Sequence, residues 1–230
     1  KTSKAMNPKI PNLTKSRALM ISLVSGYQSA VLDPFITLLE VHKLLYLAQS
    51  AGQPLKLTFQ KGIYGPYGVE IRHVLNAPEG YFTAGYTGEA DDPEMQISLV
   101  PGAIKEAKEF LESHSRELKV LKKVSELVDG WETPHGLELL TTVHWVVTED
   151  HAKSVSEAIT ATHNWNERKK LFSERQISGR NGTSAQGRSE KKNISIFCIF
   201  PKKSVRRVST DTRAQSIFAI FFEFSSIAVP

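Results

Sequence analysis

Amphipathic helical periodicity recurs along most of this chain and limits the folds open to it. In successive segments, apolar residues return every three or four positions, which is the spacing of one face of an α-helix. Thr14 and Ser154 precede two of these segments and are suited to cap their first turns. The sequence therefore predicts a domain built mainly of helices, over residues 16–27, 37–50, 103–112, 118–128, 137–148 and 154–165.

Shorter segments between the helices carry a different pattern. Residues 54–59 alternate apolar and polar side chains, and residues 95–100 do the same after the glycine-rich stretch 80–88. Strict alternation is typical of a half-buried strand. The predicted fold class is therefore α+β and predominantly helical, a compact helical domain with a small antiparallel β-sheet or hairpin.

Residues 61–75 form a loop of glycine, proline and tyrosine that runs into a short amphipathic helix. Pro66 fixes its own φ and biases Gly65 toward an extended conformation, so the turn has a defined shape. Tyr64 and Tyr67 flank this Gly-Pro pair. Two tyrosines on a stiff turn suit either a packed corner or a recognition surface.

The same loop offers a candidate binding patch. Lys61 enters it, while Arg72 and His73 lie on the helix that leaves it. Basic residues beside tyrosines could stack bases and touch phosphates, as in proteins that bind single strands. The alternative is a loop buttressed by its own tyrosines beside a solvated arginine. A nucleic-acid-binding module that uses Lys61, Arg72 and the basic tail thus stays open as a second function.

Positive charge is concentrated at the C-terminal end. The net charge is +5, but nine of the 29 basic residues and only three of the 24 acidic residues lie after residue 177. Residues 1–177 therefore carry 20 basic and 21 acidic residues, a net charge of −1. This part of the chain lacks the positive charge that commonly supports phosphate binding.

Composition also suggests three segments. Residues 1–12 are polar and interrupted by proline, as in a linker, and residues 13–177 carry the helical patterns. Residues 178–230 begin with a polar, glycine-rich stretch and continue with short apolar runs that lack helical or alternating design. We expect this last segment to be disordered, and its abrupt change of composition suggests a frameshifted end.

The sequence contains no recognisable catalytic or ligand-binding motif. Its seven histidines do not fall into metal-ligand spacings, and phosphate-binding glycine loops are missing. We therefore predict no catalytic residues, no cofactor and no metal. The single cysteine, Cys198, agrees with a reducing compartment, and no apolar run is long enough for a membrane span. These features predict a cytoplasmic protein without a membrane partner.

Several motifs, in order along the chain, resemble one protein family. They include Leu-Leu-Glu-Val-His-Lys-Leu-Leu-Tyr-Leu-Ala-Gln at 38–49, the 61–75 loop, and Glu-Gly-Tyr-Phe-Thr-Ala-Gly-Tyr at 79–86. Val-Asp-Gly-Trp-Glu-Thr-Pro-His-Gly-Leu-Glu-Leu-Leu follows at 128–140, and Trp-Asn-Glu-Arg-Lys at 165–169. Together they resemble the C-terminal, toxin-neutralising domain of DarG-type antitoxins. A looser similarity to the Panacea antitoxin domain points the same way.

The resemblance implies a toxin-antitoxin role. DarG proteins pair with DarT, a toxin that ADP-ribosylates DNA, and a DarG macrodomain removes the modification. The chain would lack that macrodomain, with residues 1–12 as the linker after it. We therefore expect a non-catalytic domain that binds and occludes a DarT-like toxin, with no direct contact to nucleic acid.

Contact residues follow from this expectation. The acidic loop at 89–94 would imitate the backbone of single-stranded DNA, and the tyrosine loop would supply aromatic and basic contacts. The predicted toxin-binding residues are Lys61, Tyr64, Tyr67, Arg72, His73, Glu89, Asp91, Asp92 and Glu94.

Overall fold

The computed structural model describes residues 11–86, 88 and 92–179. Within these residues the chain forms α-helices, a three-stranded antiparallel sheet and a separate β-hairpin. The predicted fold class, a mainly helical α+β domain with a small antiparallel sheet, is confirmed. The predicted linker at 1–12 lies outside the described residues up to residue 10, and the predicted tail at 178–230 from residue 180 onward.

The helices follow the periodic segments of the sequence closely. In the described part of the chain their bounds are α1 Lys15–Val31, α2 Leu38–Ser50, α3 Ile71–Asn76, α4 Ala103–Glu112, α5 Ser115–Val128, α6 Pro134–Thr148, α7 Val155–His163 and α8 Glu174–Ile177. A 3₁₀ helix, Glu167–Leu171, lies between α7 and α8.

Side-chain caps define where several helices begin. Thr14 accepts a hydrogen bond from Arg17 N at the start of α1, and Ser154 accepts one from Glu157 N at the start of α7. Both caps were predicted. At the start of α2, Thr37 and Glu40 form a reciprocal capping box, in which each side chain accepts from the other residue's backbone N–H.

The strands are short and antiparallel. Strand β5, Gln96–Leu99, pairs on one side with β1, Phe35–Thr37, and on the other with β4, Thr83–Ala84. The separate hairpin joins β2, Phe59–Gly62, to β3, Gly65–Gly68, in a register that places Gln60 opposite Tyr67. The Gly-Pro-Tyr loop of the sequence is therefore largely this hairpin.

The strand predicted at 54–59 is wrong over most of its length. Its backbone is irregular up to Thr58, and Lys56 has a left-handed φ of 58°. The side chain of Gln49 donates to the Leu57 carbonyl at 2.8 Å and accepts from the Leu57 N–H at 2.9 Å. One side-chain amide thus satisfies the backbone groups that a neighbouring strand would have paired.

The helices pack around two apolar clusters, a large one and a smaller one between α1 and α4. Helix α6 is buried nearly all round and packs against α2, while α1 packs against α4 and α5. No helix in the described part of the chain combines the length and apolar character needed to cross a membrane.

Candidate functional site

A cleft of about 230 Å³ lies between the start of α2 and the β2–β3 hairpin. Apolar and aromatic side chains form most of its wall. Its lining residues are Leu38, Leu39, His42, Lys43, Gly62, Ile63, Tyr64, Gly65, Tyr67 and Pro93. The cleft therefore contains both tyrosines of the loop that the sequence singled out.

The hairpin is held against two neighbouring elements. Gly65 has a φ of 95°, and a Cβ atom there would stand 2.7 Å from Oγ1 of Thr142 on α6. On the other side, Trp165 donates from Nε1 to the Gly62 carbonyl at 2.8 Å, and Asn166 donates to the Ile63 carbonyl at 3.0 Å. These contacts fix the hairpin that forms one wall of the cleft.

Lys43 brings a buried amine to the cleft. It is only 2% exposed, and its Nζ donates to the Pro66 carbonyl at 2.7 Å. Burial, together with the positive charge of nearby Lys169, lowers the pKa of Lys43 to about 7. At neutral pH this amine is therefore divided between its charged and neutral forms.

A buried carboxylate, Glu138, organises the charges beneath the hairpin. Its Oε1 lies 2.6 Å from Nζ of the fully buried Lys169, and Arg168 binds both carboxylate oxygens at 3.0 and 3.1 Å. Burial alone would raise the Glu138 pKa, but the hydrogen bonds from Arg168 and Lys169 outweigh it and hold that pKa low. Burial also lowers the pKa of Lys169 to about 8.

Each tyrosine of the cleft contacts another planar group. The Tyr67 ring lies 4.6 Å from the His42 ring at an interplanar angle of 19°, and Gly68 N–H donates to His42 Nδ1 at 3.2 Å. The Arg168 guanidinium lies 4.5 Å from the centre of the Tyr64 ring. The loop can therefore be both a packed corner and a recognition surface, since both tyrosine rings are packed and both line the cleft.

The other predicted site residues lie apart from the cleft wall. Lys61 pairs with Asp150 at 2.6 Å and lies over the Trp165 ring, 4.8 Å from its centre. Arg72 and His73 are exposed on α3. The patch of Lys61, Tyr64, Tyr67 and Arg72 is therefore only partly assembled, with its two tyrosines in the cleft.

The predicted acidic residues are only partly within the described chain. Asp92 and Glu94 are exposed on either side of Pro93, which lines the cleft, and Asp92 accepts from the Glu94 N–H at 3.0 Å. Glu89 and Asp91 lie outside the described residues.

Sequence reasoning missed the charged residues of the interior. Lys43 falls within the apolar pattern of α2, and Lys169 falls within a basic run that reads as a solvated surface. One feature of the sequence could have indicated a buried ion pair. Glu138 is a lone carboxylate in an otherwise apolar helix, and a buried carboxylate needs a cationic partner.

The lining limits the chemistry that the cleft can perform. Its walls can hold an apolar or planar group, and Lys43 can exchange a proton near neutral pH. The described lining contains no carboxylate. Among the residues that the structure describes, no group of three or more histidine, cysteine, aspartate or glutamate side chains is placed to hold a metal ion.

Comparison with curated proteins shows that this chain is similar to several proteins that share the same name. The chain is 37% identical over 162 residues to the DNA ADP-ribosyl glycohydrolase of Thermus aquaticus, covering 70% of this chain and 44% of the relative. It is 33% identical over 178 residues to proteins of the same name from Mycobacterium bovis and Mycobacterium tuberculosis, covering 72% of this chain and 51% of each. The chain spans about half the length of the curated relatives it matches. No family model matches it.

These names contradict the function predicted from the sequence. A toxin-neutralising domain separate from the glycohydrolase, without catalysis of its own, was expected, with a nucleic-acid-binding module as the alternative. Both interpretations, and the conclusion that the chain is not an enzyme, are wrong, because the aligned curated proteins are named for the hydrolase itself. None of the motifs noted in the sequence is a catalytic pattern from which activity could have been recognised. The broader expectation, a relationship to proteins of ADP-ribosylation, is confirmed.

Proposed function

We propose that this chain belongs to a DNA ADP-ribosyl glycohydrolase, an enzyme that hydrolyses the bond between ADP-ribose and DNA. The observation that carries the proposal is the 37% identity over 162 residues to a curated protein of that name. The site of action that we propose is the cleft between α2 and the β2–β3 hairpin. Its aromatic wall and buried amine support this choice, because stacking groups and a group that titrates near neutral pH both suit a nucleotide-like substrate.

This proposal also changes what we expect of the partners, a DarT-like toxin and DNA. A DarT-like toxin would be the enzyme that places ADP-ribose on DNA, so its product would be the substrate here. Modified DNA then contacts this protein directly, contrary to the predicted lack of nucleic-acid contact. We propose the cytoplasm as the compartment.

Hydrolysis of a modified oligonucleotide tests the proposal. The purified chain is incubated with a DNA oligonucleotide that carries ADP-ribose, and free ADP-ribose is measured by mass spectrometry. We expect release in proportion to the amount of folded chain, and none after thermal unfolding. A folded chain that releases no ADP-ribose above the uncatalysed rate would overturn the proposal.

A pair of lysine variants tests the position of the site. Lys43→Met removes the amine of the cleft and keeps an unbranched side chain of similar length, and Lys119→Met makes the same change at an exposed position of α5. A proton-transfer group typically contributes about 100-fold or more to a rate. We expect Lys43→Met to lower kcat by at least about tenfold and Lys119→Met to leave it unchanged. Equal rates for the two folded variants would place the site elsewhere.

A further inference from the structure

We propose that the cleft binds a single planar nucleobase, stacked on the ring of Tyr64. This inference rests on the proposed function, because ADP-ribosylated DNA presents nucleobases both in the DNA and in the adenine of ADP-ribose. It adds the part of the substrate that this cleft recognises and the residue that recognises it.

Tyr64 is supported by the partly exposed side chain of Arg168, which is anchored on a buried carboxylate. Arg168 covers the ring at 4.5 Å, and the same guanidinium binds both oxygens of the buried Glu138. A bidentate pair fixes the plane of the guanidinium as well as its position. The Tyr64 ring therefore has a rigid planar support before any ligand arrives, which lowers the entropy lost on binding.

A base stacked on the face of Tyr64 opposite Arg168 would place the phenol ring between the guanidinium and the base. Guanidinium, phenol ring and base would then lie in succession, and base–aromatic stacking accepts any base because each has a π-face. Tyr67 repeats the arrangement on the other side of Gly65 and Pro66, since its ring is stacked on His42. Two supported aromatic rings in one cleft favour a flat ligand.

The size of the cleft suits one ring system as the enclosed part of the ligand. Pockets for drug-sized ligands have volumes of about 300–1,000 Å³. At about 230 Å³, the cleft can enclose a fragment of ADP-ribose, and the rest of the ligand would extend out of its open side.

The character of the walls selects the base over the phosphate. The remaining lining side chains Leu38, Leu39, Ile63 and Pro93 are apolar. The basic group of the lining, Lys43, is buried, donates to the Pro66 carbonyl and is only partly charged near neutral pH, so it is a weak partner for a phosphate. Burying a phosphate against such walls would be unfavourable, because a buried charge needs a charged partner.

Binding measurements with four probes test the inference. The full chain is titrated by calorimetry with adenosine, ADP-ribose, ribose 5-phosphate and an unmodified single-stranded oligodeoxynucleotide. We expect adenosine or the oligonucleotide to bind and ribose 5-phosphate not to bind. Binding of adenosine and ADP-ribose alone assigns the cleft to adenine, whereas binding of the oligonucleotide alone assigns it to a DNA base, and binding of both supports a general base site.

Two results would overturn the inference. Ribose 5-phosphate that binds as tightly as ADP-ribose would indicate a site for sugar and phosphate. Absence of binding by all four probes would exclude a nucleobase site. If ADP-ribose is nevertheless released from modified DNA, the proposed function stands and only the nucleobase site fails. If a nucleobase binds and no ADP-ribose is released, the proposed function fails alone.

Substitutions of Tyr64 test whether its ring contributes to the binding of a base. Replacing a stacked aromatic residue typically lowers affinity for a base by about fivefold or more. We expect that loss for Tyr64→Leu and wild-type affinity for Tyr64→Phe, which keeps the ring. Phe35→Leu removes an exposed aromatic ring that does not line the cleft and serves as the matched control. Equal affinities of folded Tyr64→Leu and wild-type protein, with folding checked by circular dichroism, would also overturn the inference.

Discussion

Gly65 allows the hairpin to lie directly against α6. Its φ of 95° is strained for any residue with a side chain, and a Cβ atom would press on Thr142 Oγ1, which donates to the Glu138 carbonyl at 2.7 Å. We expect Gly65→Ala to lower the free energy of unfolding by about 2 kcal/mol or more, from backbone strain together with overpacking. Urea unfolding followed by circular dichroism measures this change.

A second glycine provides the control for that substitution. Gly26 lies in the middle of α1, and a Cβ atom there would meet no atom within 4 Å. Alanine at an open helical position stabilises by about 0.5–1 kcal/mol. Gly26→Ala should therefore raise stability slightly. If the two alanine variants shift stability in the same direction, the close contact of Gly65 with α6 is not important.

Glu138 pairs with two cationic groups, the fully buried Lys169 and the partly exposed Arg168. Without its charge, the fully buried Lys169 would have no carboxylate at 2.6 Å. Breaking a buried ion pair by removing one partner costs about 3–5 kcal/mol. We expect Glu138→Gln to destabilise the protein by about that amount, measured as a shift of the urea midpoint.

An exposed ion pair serves as the control for Glu138. Glu109 lies 3.9 Å from Lys105 on the surface of α4, with both side chains largely exposed. Surface pairs of this kind contribute less than about 1 kcal/mol. Glu109→Gln should shift the urea midpoint far less than Glu138→Gln. Equal shifts would show that burial of the Glu138 network adds nothing to stability.

Helix α2 carries His42 and Lys43 to the cleft, so the start of this element positions the site. Thr37 Oγ1 accepts from the Glu40 N–H at 3.3 Å and donates to the Glu40 carboxylate at 2.6 Å. We expect Thr37→Ala to lower the unfolding free energy by about 1 kcal/mol, the usual effect of removing an N-cap. The melting temperature, recorded by calorimetry, should fall accordingly.

Thr160 distinguishes loss of the cap from loss of a threonine. It is exposed within α7, where alanine has the higher helix propensity. Thr160→Ala should therefore leave the melting temperature unchanged or raise it slightly. A fall as large as that of Thr37→Ala would rule out the cap as the cause.

Local pattern predicted the helices well and the strands less well. The apolar spacing of α1, α2 and α6 and the caps Thr14 and Ser154 are properties of neighbouring residues, so they can be recognised in the sequence. The strand expected at 54–59 failed because the Gln49 side chain, from another element, satisfies the Leu57 backbone. The three-residue strand β1 was missed because so short a segment has no periodicity to detect.

In the candidate site, too, residues in a local motif could be predicted from the sequence, whereas residues brought together by distant segments could not. Tyr64 and Tyr67 could be selected because a Gly-Pro turn between two tyrosines is a local feature. Lys43 and Lys169 could not, since their surroundings come from segments more than 20 residues away in the sequence. Prediction of such a cluster requires the packing of α2 against α6 to be known first.

The whole molecule buries several ionisable groups, and this should make its stability depend on pH. Burial lowers the pKa of Lys43 to about 7, that of Lys169 to about 8 and that of His144 to about 4. In an unfolded chain, lysine has a pKa of about 10.4 and histidine of about 6.5. Each group therefore binds fewer protons in the folded protein between its two pKa values, so the free energy of unfolding rises with pH in that interval.

We expect the protein to be more stable at pH 9 than at pH 7, because this interval lies within the Lys43 window and largely within that of Lys169. The gain should be on the order of 2 kcal/mol, measured by urea unfolding at both values. The upper limit of pH 9 stays below the tyrosine pKa of about 10 in the unfolded chain, so ionisation of tyrosine contributes little. Lys43→Met should flatten this dependence, whereas the exposed substitution Lys119→Met should preserve it. Equal wild-type stability at pH 7 and pH 9, or an undiminished slope in Lys43→Met, would mean that the fold does not lower the pKa of Lys43.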